Sequence, residues 1–135
     1  MTLAVGLKIY LITIPIFFLI DLIWLGVLAK DFYKKHLGHL MRPDVNWTAA
    51  VIFYVVFIAG IVIFAVKPAL ETQSAGRALL YGALFGLMAY ATYDLTNLAT
   101  LRDWPLIVTV VDLIWGTVLC GCVAWISYLL SARFS

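Results

Sequence analysis

Polar residues in this chain are gathered into short stretches, and between them lie four apolar runs long enough to cross a bilayer. A hydrocarbon core of about 30 Å takes roughly 20 apolar residues as a helix. Residues 6–29, 48–66, 78–101 and 106–130 reach that length and predict four transmembrane helices within one domain, 1–135. The breaks carry helix-ending chemistry. Arg42-Pro43-Asp44 precedes the second run, and Lys67-Pro68 is expected to stop it. Asp103-Trp104-Pro105 is expected to turn tightly, with Asp103 capping the fourth helix and Pro105 in its first turn. Pro15 is a candidate kink in the first helix. Trp24, Trp47 and Trp104 fall near run ends, where an aromatic belt would sit.

Composition narrows the class. Of 135 residues, 65% are hydrophobic and only 12% charged, and the mean hydropathy is +1.07. Soluble domains are about 45–50% apolar and about 25% charged. The expected fold is therefore all-α: an integral membrane four-helix bundle, multi-pass, with both termini on the same side. The first run begins beside Lys8 and could pass for a secretory signal. Its length, the Asp21 in its body and the lack of a small-residue cleavage pattern argue for a retained helix. The net charge of +2 is spread over loops and ends and gives no case for nucleic-acid binding. Lys8, Lys67, Arg77 and Arg133 fall on one side, against Lys30, Lys34, Lys35, Arg42 and Arg102 on the other. That balance leaves orientation open by the positive-inside rule, and dual topology open with it. Cys120 and Cys122, two residues apart, would sit on different helix faces, so neither a disulfide nor a metal pair is expected.

The candidate chemistry lies in a near-repeated phrase: Asp21-Leu22-Ile23-Trp24, Asp94-Leu95-Thr96-Asn97 and Asp112-Leu113-Ile114-Trp115. An Asp at the centre of a membrane helix costs roughly 2.5 to 3.5 kcal/mol on insertion scales. Counted from the helix ends, all three carboxyls are expected roughly 9–12 Å below one membrane surface, in a single layer. Ala78, Gly82, Gly86, Tyr90 and Asp94 follow each other at i+4, as do Asp112, Gly116 and Cys120. Small residues at that spacing mark faces where membrane helices pack closely, so the aspartates are expected to face the bundle interior. By residue count, Trp24 and Trp115 would flank the layer from opposite sides. Arg102 is the candidate counter-ion, reaching down its own helix to Asp94. Three such carboxyls would titrate as a coupled set.

A purely architectural role is the competing reading, with the aspartates bonded to groups such as Tyr93, Thr92, Thr96, Asn97 or Thr109. Hydrogen bonds between helices in lipid average only about 0.6 kcal/mol, which explains one buried aspartate better than three. The ligand-binding or proton-carrying candidates are Asp21, Asp94, Asp112, Trp24, Trp115, Asn97, Tyr93 and Arg102. His36 and His39 form a spaced pair in a loop with no further ligand in view, so no metal is expected. No nucleotide loop, catalytic triad, lipidation signal or cofactor motif is present in the sequence.

Three segments together resemble a family of small bacterial membrane proteins known as domain of unknown function 2177. They are Ile20-Asp21-Leu22-Ile23-Trp24-Leu25-Gly26, Tyr93-Asp94-Leu95-Thr96-Asn97-Leu98-Ala99 with Arg102-Asp103-Trp104-Pro105, and Val111-Asp112-Leu113-Ile114-Trp115-Gly116. The resemblance covers nearly the whole chain. It implies a four-helix inner-membrane protein, mostly of Gram-negative bacteria, with no activity to carry over. Neighbouring genes of the cyclopropane-fatty-acid-synthase kind imply a role in membrane-lipid modification.

Three functions follow as expectations. The first is a non-enzymatic protein that binds or transports a small-molecule or lipid-like ligand and couples this to protons. It shares only its general form with small multidrug transporters, and would be a homodimer. The second is an enzyme or enzyme subunit in lipid modification, with Asp94 and Asp112 as acid and base and Arg102 on a phosphate. The third is a structural partner in a larger membrane complex.

Overall fold

The computed structural model describes residues 2–134. Among them there is no strand, and four helices are long and apolar enough to cross a membrane. These are α1 (Leu3–Leu28), α3 (Trp47–Thr72), α4 (Ala75–Thr100) and α5 (Leu106–Phe134). A short helix, α2 (Phe32–Leu37), lies in the connection between α1 and α3.

Starts and stops follow local chemistry. Thr2, Asn46 and Ser74 each accept a backbone N–H of the first turn they precede, capping α1, α3 and α4. The second span does not stop at Lys67-Pro68. Its backbone widens to five-residue hydrogen bonding over Val62–Val66, where the Lys67 N–H donates to the Val62 carbonyl. Pro68 lacks an N–H and clashes with a carbonyl four residues back in a regular helix, and the wider turn takes it up. The helix ends instead at Gln73, whose φ of 52° is left-handed, so only Gln73 and Ser74 join α3 to α4. Nor does Asp103 cap α5. With φ 58° it makes the turn, and the Val108 N–H bonds the Pro105 carbonyl at 3.2 Å. α1 runs on through Pro15 as a helix.

The core is a helix-period pattern on each span. On α3 the buried residues are Phe57, Ile58, Ile61, Val62, Ala65, Val66 and Ala69; on α1 they are Ile9, Thr13, Ile16, Phe17 and Asp21. α5 carries a buried stripe that runs from Val108 to Ser131. α4 meets it through glycines. A Cβ at Gly86 would stand 2.0 Å from the Gly116 carbonyl oxygen, and one at Gly82 would stand 2.4 Å from that of Cys120. Only hydrogen fits there, so the two backbones approach closely. On its other side α5 meets α1, where Thr13 Oγ1 and Ser127 Oγ lie 2.5 Å apart. The remaining surface of the spans is largely apolar, with Leu11, Leu19, Val56, Phe64 and Met88 exposed, as a lipid-facing surface requires.

Candidate functional site

Asp21, Asp94 and Asp112 are all buried, each on the inward stripe of its helix: α1, α4 and α5. Asp21 and Asp112 line one cavity of about 300 Å³. The indoles of Trp24 and Trp115 and the phenols of Tyr33, Tyr54, Tyr90 and Tyr93 complete its polar and aromatic wall, with Leu25 and Leu37 at its edge. Among the described residues, no Lys, Arg or His lines it.

Trp24 and Trp115 do not stand on opposite sides of the acidic residues. Their rings stack at 4.5 Å with 11° between planes. Helical side chains lean toward the N-terminus of their own helix. In α1 and α5, which run antiparallel, that lean carries the two indoles toward each other. Counting residues along the axis misses it.

The stacked pair is tied to the carboxyls from above. The Trp24 indole N–H donates to the Tyr33 hydroxyl at 3.0 Å, and Tyr33 donates to Asp112 Oδ1 at 2.6 Å. Tyr33 belongs to α2, which folds back over the end of α1. Burial, and then Asp112 as acceptor, raise the Tyr33 phenol above the ordinary tyrosine range, while donation from Trp24 works the other way. It therefore remains a donor at any physiological pH. The Trp115 indole N–H is buried, makes no hydrogen bond among the described residues, and lies beside the Asp21 carboxyl.

Asp94 does not line the cavity. It is fully buried, and neither carboxyl oxygen has a hydrogen-bond donor among the described residues. Its neighbour is the Asp112 carboxyl, within side-chain hydrogen-bonding reach should one of the two carry a proton. A clamp fixes the backbone around it: Trp104 Nε1 donates to Thr109 Oγ1 at 3.0 Å, and Thr109 donates to the Asp94 carbonyl. Trp104 is thus a buried strut rather than a belt residue, with its ring edge-on to Tyr93 at 5.7 Å. Trp47 is 69% exposed.

Two of the expected site residues stand apart. Arg102 is exposed in the turn after α4, with no ion-pair partner among the described residues, so it does not offset the charge of Asp94. Asn97 is half-buried, outside the cavity wall. His39 shares a hydrogen bond with the Asp103 carbonyl at 3.3 Å, and His36 packs on Phe32. Tyr33, Tyr54 and Tyr90 are wall residues that sequence reasoning passed over. The one local signal for Tyr33 was the apolar spacing of Phe32, Tyr33 and Leu37 inside an otherwise basic stretch.

Residues 6–129 match the family described as "Predicted membrane protein (DUF2177)". No curated protein and no solved structure matches the chain.

Proposed function

We propose, for a chain that belongs to the predicted membrane protein family DUF2177, that the cavity binds a positively charged small-molecule or lipid-like ligand, and that protons on the aspartates are exchanged for it. The observation that carries this reading is an imbalance of charge. Asp21 and Asp112 line the cavity, Asp94 adjoins Asp112, and among the described residues the only other titratable groups in the wall are tyrosines. A buried ion is several kcal/mol worse off than in water unless it is paired. Either a proton or a ligand cation completes such a site, and the two compete. The indole and phenol faces suit a cation as well, at about 0.5 to 2 kcal/mol each.

The proposal includes residence in a cell's inner membrane with both termini on one side, and assembly as a homodimer or within a larger membrane complex. Tetraphenylphosphonium tests the binding step, because its charge does not titrate. Its affinity for the full chain should fall steadily from pH 8 to pH 5, binding should release protons, and Asp112→Asn should weaken it at least tenfold. Binding that is flat across that range, or indifferent to Asp112→Asn, would overturn the reading. The second reading is acid–base chemistry on a membrane lipid, and the adjacency of Asp94 and Asp112 favours it. An altered lipid composition in a deletion strain, beside unchanged tolerance of toxic cations, would select it.

A further inference from the structure

Beside the carboxyl-lined cavity lies a second one, of about 530 Å³ and opposite chemistry. Lys30, Lys34 and Arg42 line it, and its apolar wall includes Leu25 and Met41. All three cations are exposed, and none makes an ion pair or side-chain hydrogen bond among the described residues. Leu25 and Tyr33 line both cavities. One phenol ring therefore stands between a cluster of unpaired cations and a cluster of unpaired carboxyls, and its hydroxyl is already committed to Asp112.

Building on the reading above, we infer that the ligand is a phospholipid whose headgroup carries both a phosphate and an amine. The phosphate sits among Lys30, Lys34 and Arg42, and the ammonium group reaches past Tyr33 toward Asp112. A simple cation would leave the three basic side chains idle, and a simple anion would leave the carboxyls unmatched. A headgroup with both charges two carbons apart meets both clusters at once. Guanidinium and ammonium groups at a membrane surface favour phosphate oxygens. Leu25 and Met41, 42% and 57% exposed, give the acyl chains an apolar path out of the basic cavity.

The test uses the full chain in detergent, with phosphatidylethanolamine, phosphatidylglycerol, tetraphenylphosphonium and inorganic phosphate as separate probes, and retention read by native mass spectrometry. Phosphatidylethanolamine should be held at least tenfold more tightly than phosphatidylglycerol. A Lys30→Gln, Lys34→Gln, Arg42→Gln variant should lose retention of phosphatidylethanolamine and keep tetraphenylphosphonium binding, whereas Asp112→Asn should lose the preference for phosphatidylethanolamine together with tetraphenylphosphonium binding. Equal retention of the two lipids, unchanged retention of phosphatidylethanolamine in the triple variant, or displacement of the lipid by inorganic phosphate would overturn this inference alone. A wild-type chain that binds no tetraphenylphosphonium would instead sink the cation-site reading on which it rests.

Discussion

α5 has two faces one residue apart, and they behave in opposite ways. Gly116 lies against α4 so closely that a Cβ there would meet the Tyr90 ring at 2.3 Å. Trp115, beside it in sequence, reaches toward α1 and stacks on Trp24, and next to that stack the helices enclose a cavity. Lipid tails are as apolar as the side chains, so hydrophobicity does not hold membrane helices together, and side-chain size sets how near they come. Glycines close the α4–α5 seam. Indoles and phenols fill the space between α1 and α5 beside the carboxyls, and the polar groups gather around the cavity they line. The seam is scaffold and the gap is site.

The largest effect should come from spoiling the seam. Gly86→Leu must push its side chain into the Gly116 carbonyl, which is backbone and cannot swing aside. It should cost about 3 kcal/mol or more, read as a lowered thermal unfolding midpoint in detergent. Gly26→Ala, where nothing lies within 4 Å of the added Cβ, is the control and should stay within about 0.5 kcal/mol. Equal effects from the two would end the distinction between seam and gap.

A smaller loss should follow Tyr33→Phe, which removes the donor to Asp112 and the acceptor of Trp24, at about 1 to 3 kcal/mol. The phenol is raised in the folded protein relative to the unfolded chain. Its stabilisation should therefore be full through acidic and neutral pH and fade as pH rises past the ordinary tyrosine value of about 10. The stability gap between wild type and Tyr33→Phe should be open at pH 8 to 9 and close above that. A gap that instead widens with alkali would show that Tyr33 is not the donor. The smallest effect belongs to the α1–α5 contact away from the cavity. Thr13→Val breaks the bond to Ser127 and should cost about 0.6 kcal/mol, the usual worth of such a bond in lipid. A much larger loss there would mean that α1 is held by the seam's kind of packing after all.

Four spans, the all-α class, the small-residue stripes and the inward-facing carboxyls could all be read from the sequence. Each is written locally: the length of an apolar run determines a span, and i+4 spacing determines which residues share a face. Local rules also misled where two signals met in one turn. Lys67-Pro68 reads as a stop until the wide turn over Val62–Val66 absorbs the proline. Asp103 reads as a cap until the chain uses its left-handed backbone instead. Only the tertiary structure decided that Trp24 and Trp115 stack, that Tyr33 returns from α2 to bond Asp112, that Arg102 stays outside, and that a cavity opens beside Asp21. The physical reason is the same in each case. Those outcomes depend on the direction in which side chains lean and on residues such as Tyr33 and Asp112, 79 positions apart, which share no periodicity that a single helix could record.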